Sequence, residues 1–249
     1  MALVKNSFDV IRTKLNKYPG GKVLLEKDDN SGIARIILDH PERCNALSGH
    51  MMVELRDCVE DLETWVTGKG VILTGWGTNF CSGADLNFAR ASSPQDGFDM
   101  SVWMQDVLVR LQKLPLVSCC LVHGASIGGG SELSVFCDYI VAADDVKYGF
   151  VQGKMGITTA WGGGTRLALR VGQRKALDLL LTSKVMNARE CFGFGIVDAI
   201  VSSERALHEV TEWFSKKLRH EREVIRVLLW KETFLLRFEE YVSAISTIK

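Results

Sequence analysis

The sequence predicts an α/β fold, and three patterns carry that expectation. Apolar runs of strand length end in glycine, proline or aspartate; the segments between them repeat their apolar residues every three or four positions; and beyond Arg166 the helical spacing takes over almost entirely. Pro19-Gly20-Gly21 closes a short N-terminal helix or arm. Residues 23–27 and 33–38 read as strands joined by the turn Asp28-Asp29-Asn30-Ser31-Gly32, so they form a hairpin. Ser48 caps a helix with an apolar face of Met51, Leu55, Cys58, Val59, Leu62 and Val66. Residues 71–74 form a buried strand and 75–83 a glycine-rich connection. A second amphipathic helix through Trp103, Met104, Val107, Leu108, Leu111 and Leu114 stops near Pro115. Residues 116–122 return as a strand, Gly128-Gly129-Gly130 opens a helix running through Glu132 to Phe136, and 139–142 is again a strand.

After Arg166 only 196–201 interrupts the helical pattern, as a short strand. Residues 206–249 read as helix throughout, anchored by Trp213, Phe214, Leu218, Val224, Leu228, Leu235, Phe238 and Val242. That stretch is too apolar to stand alone and is expected to pack on its own domain or on a neighbouring subunit. The division is therefore a catalytic body over 1–201 and a helical region over 202–249, with no linker or repeat.

Composition bounds the function. With 249 residues, 47% hydrophobic and 24% charged, the chain can bury a large core and is not a disordered one. Thirty basic residues balance thirty acidic ones, so no global field draws it to nucleic acid or anionic lipid. No apolar run approaches the roughly 20 residues of a membrane-spanning helix. Seven cysteines, including the adjacent Cys119-Cys120, do not read as a disulfide framework, and no Cys or His spacing suits a metal. The expected setting is reducing, the cytosol or alternatively the mitochondrial matrix. Charges break any secretory signal near the N-terminus, although Phe8, Ile11 and Leu15 leave an amphipathic transit segment open.

Two segments share one construction, a strand end followed by a glycine-rich turn: 79–86, containing Ser82-Gly83-Ala84-Asp85, and 123–133, containing Gly128-Gly129-Gly130-Ser131-Glu132. Backbone N–H groups left without an acceptor at such turns can hold an anionic oxygen, and two facing turns would form an oxyanion hole. Taken singly, each has a plainer reading: a glycine triplet for close packing, Asp85 as a helix cap, Glu132 as a complement to the helix dipole.

Together and in this order, the segments resemble the crotonase (enoyl-CoA hydratase/isomerase) superfamily over almost the whole chain. The matching pieces are His40-Pro41-Glu42-Arg43-Cys44-Asn45-Ala46-Leu47, Phe80-Cys81-Ser82-Gly83-Ala84-Asp85-Leu86, Gly124 with Gly128-Gly129-Gly130-Ser131-Glu132-Leu133, Cys137-Asp138, and Trp161-Gly162-Gly163-Gly164-Thr165-Arg166-Leu167. The resemblance implies a crotonase-like spiral of ββα turns, a C-terminal helical assembly region, abbreviated here, and a homo-oligomer, a trimer or a dimer of trimers. It implies an acyl-CoA thioester as substrate, with no metal and no biotin. By position, the oxyanion donors would be the N–H groups of Ala84 and Gly129, and CoA would rest on Arg43, Ala46, Leu47, Asp85 and Leu86, largely through backbone. Trp161 would either wall the acyl pocket or simply fill core.

Hydratases of that superfamily resemble one another in carrying a second glutamate where this chain has Gln152. An amide is neither acid nor base, so water addition is disfavoured, and the common isomerases lose support with it. Decarboxylation of a malonyl-type thioester fits better, and the resemblance implies a short branched one. It needs an enolate held by Ala84 and Gly129 and one proton, for which Glu132 is the candidate donor, its acidity weakened by burial and like charge. The alternatives are another crotonase reaction, with Asp144 or Glu190 supplying the acid, and an inactive acyl-CoA-binding protein.

Overall fold

The computed structural model describes residues 6–85, 88 and 93–220. Its main sheet has six strands in the order β1-β2-β3-β4-β6-β8, formed by Lys22–Asp28, Ile33–Asp39, Gly70–Gly75, Val117–Val122, Tyr139–Ala143 and Ala199–Val201. Only the β1–β2 hairpin is antiparallel, running from Lys22 opposite Asp39 to Asp28 opposite Ile33; every other pair in the sheet is parallel.

Parallel strands need crossovers, and helices supply them. Helix α1 (Phe8–Leu15) precedes the sheet, α2 (Gly49–Glu63) joins β2 to β3, and α3 (Pro94–Lys113) lies between β3 and β4. The Ser48 side chain accepts from Met51 N–H, the expected N-cap. Helix α2 ends at Glu63, however, which leaves Val66 75% exposed and outside the apolar face assigned to it. Helix α3 starts earlier than its apolar spacing shows, because Ser93 and Asp96 close a capping box and proline occupies the first turn.

Two strands escaped the sequence pattern. β5 (Ala125–Ile127) and β7 (Lys147–Gly149) pair in parallel as a second small sheet. They reveal the repeated unit: β1-β2-α2, then β4-β5 with helix α4 (Gly129–Ser134), then β6-β7 leading to helix α5 (Gly163–Val171). The glycine triplet is therefore entered from a strand, not from a simple turn. Helices α6 (Gln173–Thr182) and α7 (Ala188–Phe194) precede β8, which covers only the last part of the expected 196–201.

Alternation along the central strands divides the core between the two faces of the sheet. Val71, Leu73, Cys120, Val122, Ile140 and Ala142 join the larger cluster with α1, α2 and α3, whereas Ile72, Cys119, Leu121 and Val141 face Val210, Phe214 and Leu218. The last three belong to helix α8 (Ala206–Ser215) and the turn after it, so this part of the C-terminal region packs on its own sheet. The helix ends at Ser215, not continuing as one rod, because Lys217 and Leu218 N–H bond back in a tightening turn to the carbonyls of Phe214 and Ser215. The anchors Val224, Leu228, Leu235, Phe238 and Val242 lie outside the described residues. All seven cysteines are free thiols and six are buried. Ile11 and Leu15 are buried as well, so the apolar face of α1 is spent on the core. No described helix is long and apolar enough to cross a membrane.

Candidate active site

The segment 80–85 is stitched on both sides. Phe80 and Cys81 N–H donate to the carbonyls of His123 and Ala125, while Ser82 N–H donates to that of Cys44. Leu47 then pairs with Ala84 as a parallel bridge: Leu47 N–H donates to Gly83 C=O at 2.8 Å and Asp85 N–H to Leu47 C=O at 2.9 Å. In such a bridge the central residue's own N–H points away from its partner. Ala84 N–H accordingly has no acceptor among the described residues.

On that far side lies Gly129. A Cβ placed on Gly83 would fall 2.9 Å from Gly129 N, and Gly83 has φ +103°, so only glycine allows this approach. Gly129 N–H, in the first turn of α4, also lacks an acceptor among the described residues. A Cβ on Gly129 would meet the Trp161 ring at 2.5 Å, so the indole lies flush against this backbone. Trp161 is 3% exposed and belongs to the large core cluster, so it fills core while lying against the Gly129 backbone.

Glu132 stands one turn into α4 and is 2% exposed. Its Oε2 accepts from Trp161 N–H at 3.0 Å and from Gly163 N–H at 2.9 Å; its Oε1 accepts from Gln152 Nε2 at 2.9 Å. Gly163 has no room for a side chain, since a Cβ there would lie 2.5 Å from Glu132 Cγ. Burial pushes the Glu132 carboxyl up to about 7 against the opposing pull of these hydrogen bonds. Among the described residues it has no ion-pair partner.

The residues carried over for CoA have different positions. Ala46 and Leu47 are buried, and their backbone is largely spent: Ala46 N–H on Arg43 C=O, Ala46 C=O on the His40 ring, both Leu47 groups on the bridge to Ala84. Their visible work is to hold Ala84 in place. Asp85 is buried and accepts from Phe88 N–H. Arg43 is exposed, and its guanidinium makes no ion pair among the described residues. Leu86 lies outside the described residues. Asp144 and Glu190 are both exposed and otherwise engaged, Asp144 with Ser203 N–H and Glu190 with its capping box and Lys184, so neither reaches the buried carboxyl.

Asn45 had no role in the sequence reading and has one here. Buried completely, it accepts from His40 N–H and donates to the carbonyls of Trp76 and Asn79, tying its own loop to the connection that follows β3. Cys44 and Asn45 both adopt left-handed backbone, at φ +52° and +53°, which asparagine tolerates better than most residues. An asparagine between a proline-led turn and a helix cap was the available signal. No group of three or more His, Cys, Asp or Glu side chains is gathered as a metal site among the described residues.

A buried carboxyl poised near neutrality, beside two free backbone N–H groups from different loops, suits chemistry at a carbonyl-activated carbon. Comparison with known proteins agrees. The enoyl-CoA hydratase/isomerase family profile matches residues 28–239, and the chain belongs to that family. The fold is shared with an enoyl-CoA hydratase of Thermoplasma volcanium, at TM-score 0.79 and 25% identity over 90% of both chains. One from Bacillus anthracis superposes at TM-score 0.81 over 92% of this chain and 91% of its own, at 22% identity. The curated relatives define the branch. An ethylmalonyl-CoA decarboxylase of Bos taurus is 39% identical over 88% of this chain and 72% of its own, and one of Danio rerio 40% identical over 88% and 74%. Within the family the chain is thus a carboxy-lyase, an enzyme decarboxylating an acyl-CoA.

Proposed function

We propose that the enzyme decarboxylates short branched malonyl-type thioesters, ethylmalonyl-CoA and methylmalonyl-CoA, through an enolate held by the N–H groups of Ala84 and Gly129, with Glu132 as proton donor. The bond between the α-carbon and its carboxylate breaks, CO2 leaves, and the electron pair moves onto the thioester oxygen. Two preorganised donors at that oxygen stabilise the charge where it develops; losing one such donor typically costs about 3–4 kcal/mol in the transition state. The enolate then takes a proton at carbon from Glu132, giving the saturated acyl-CoA. One proton is consumed per CO2 released, and no step requires a metal or biotin.

The observation that carries this reading is that Glu132 stands without a second carboxyl among the described residues. Its Oε1 faces the Gln152 amide and its Oε2 two backbone N–H groups. Such a site offers one transferable proton and no second base, which suits protonation of an enolate and not water addition. The names of the curated relatives support ethylmalonyl-CoA as one of these substrates. Arg43, exposed and unpaired among the described residues, is the local cation proposed for the CoA phosphates, in a chain of zero net charge. Ala46, Leu47, Asp85 and Leu86 would line the same CoA subsite, and Trp161 the acyl pocket. Clearing misformed branched malonyl thioesters in the cytosol, a metabolite-proofreading role, follows from that substrate choice.

The test is an assay of ethylmalonyl-, methylmalonyl- and crotonyl-CoA side by side, products read by mass spectrometry. CO2 and saturated acyl-CoA are expected from the first two. Hydration of crotonyl-CoA with ethylmalonyl-CoA left intact would overturn the reading. We also infer a homo-oligomer, a trimer or a dimer of trimers. In support, Leu169 is 78%, Leu177 57% and Leu181 77% exposed on the neighbouring helices α5 and α6, apolar surface that a partner subunit would cover. Sedimentation equilibrium gives the subunit number.

A further inference from the structure

We propose that Gln152 is a positioning residue for Glu132, whose amide fixes the lone pair on which the carboxyl carries its transferable proton. The inference rests on the reading of Glu132 as proton donor and concerns how that donor is controlled.

A carboxylate presents about four lone-pair sites. Trp161 N–H and Gly163 N–H take the two on Oε2, and Gln152 Nε2 takes one on Oε1 at 2.9 Å. The Ala160 backbone acts on the carboxyl more weakly, so Oε1, which takes one close donor against two on Oε2, is the oxygen left to carry the proton. The backbone donors belong to a loop and to the start of α5, where any residue has an N–H. Gln152 is the side chain in the set, held on the 3-10 turn Gln152–Met155.

The other end of that amide is the second observation. Gln152 is 5% exposed, and its carbonyl Oε1 has no hydrogen-bond partner among the described residues. A buried amide is costly unless both ends are satisfied, and an apolar side chain of the same size would fill the space without that cost. The one hydrogen bond its side chain makes among the described residues is the donation to Glu132. The groups acting on the Glu132 carboxyl are this amide and the backbone of Ala160, Trp161 and Gly163; no charged side chain pairs with it among the described residues. Gln152 is therefore the side chain able to tune it.

Two readouts on the free and working enzyme test this. The Glu132 titration is followed by infrared difference spectroscopy of its carboxyl stretch, with Glu132→Gln as the blank. Gln152→Leu removes the donor at constant size, and Gln152→Asn keeps an amide but withdraws it by one methylene. Both are expected to raise the Glu132 midpoint by about one pH unit, a tenfold change in the acid-to-carboxylate ratio. Gln152→Glu, which sets a second carboxyl against the first, is expected to raise it further. In kcat profiles with ethylmalonyl-CoA the alkaline limb should move with the midpoint, while the low-pH plateau falls about tenfold. An unmoved midpoint in folded Gln152→Asn or Gln152→Leu overturns the proposal, as does a rate that falls equally at every pH. If the midpoint moves but wild-type enzyme leaves ethylmalonyl-CoA intact, the positioning stands and the proposed reaction fails. Melting curves identify a misfolded variant, and the remaining substitutions then decide.

Discussion

Glu132 and Asp99 each expose only 2% of their surface, yet Glu132 lies much deeper in the protein, and the two are held in opposite directions. Burial pushes both upward. At Asp99 that push is outweighed by Lys14 Nζ at 2.8 Å, together with the amides of Asn6 and Gln95, so the carboxyl is held below its ordinary 3.8. Glu132 receives three hydrogen bonds but meets no cation among the described residues, and desolvation wins, bringing it to about 7. Three donors are thus enough to keep a carboxyl ionised where desolvation is modest, as at Asp99, and not enough at the deeper Glu132; the charge of Lys14 adds least to the balance. The consequence is functional. Asp99 joins α1 to α3 through a permanent ion pair, whereas Glu132 gains and loses its proton near neutral pH.

The largest expected effect is on the active side of this contrast. Glu132→Gln keeps the shape and removes the proton, and kcat on ethylmalonyl-CoA should fall by roughly 10²–10⁴. Activity within tenfold of wild type would strip Glu132 of its role. Next is Gly129→Ala, whose new Cβ would meet the Trp161 ring at 2.5 Å and must displace either the indole or the free N–H. Loss of one oxyanion donor predicts a fall in kcat of about 10²–10³ with KM much less affected.

Stability should separate the two carboxyls by pH. Glu132 is raised in the folded state, from 4.5 to about 7, so between these values the unfolded chain releases its proton first and stability declines as pH rises. The total is roughly 3 kcal/mol, fully felt above pH 7. Denaturant melts of wild type against Glu132→Gln should show the variant flat over that window and the more stable of the two at pH 8. Asp99 behaves oppositely: depressed in the folded state, it contributes stability above its ordinary 3.8 that is lost as pH falls through its lower folded value. Lys14→Met should therefore cost about 1–2 kcal/mol at neutral pH, reduced by the partial exposure of Lys14, and less near pH 3. Its kcat should be unchanged. A loss of activity there would show that the two regions are coupled.

Much of this molecule is legible in one dimension because its signals are local. Ser48 before an apolar spacing of three and four forms a cap and helix, and residues 33–38 and 71–74 alternate or run apolar as sheet strands do. β5 and β7 were hidden because three residues are too few to show a period, and each is a strand only through its partner. Val66 looked like part of the α2 face, but the helix had already ended at Glu63. The continuous C-terminal helix failed in the same way: its apolar spacing runs on through Lys217, while the chain turns there to seat Leu218 against the sheet.

The site divides along the same line. The sequence by itself determined the residues that permit the chemistry: glycines at 83 and 129, a glutamate at 132, and an amide at 152 in place of a second acid. Only the tertiary structure decided the state those residues are in. The free N–H of Ala84 follows from its bridge to Leu47, and the Trp161 ring closes on Gly129 from a distant loop. The acidity of Glu132 is set by burial and by donors from Gln152, Trp161 and Gly163. Hydrogen-bonding capacity belongs to a residue and can be read in its name. Desolvation and the direction of a donor belong to its neighbours, and those are assembled only when the chain folds.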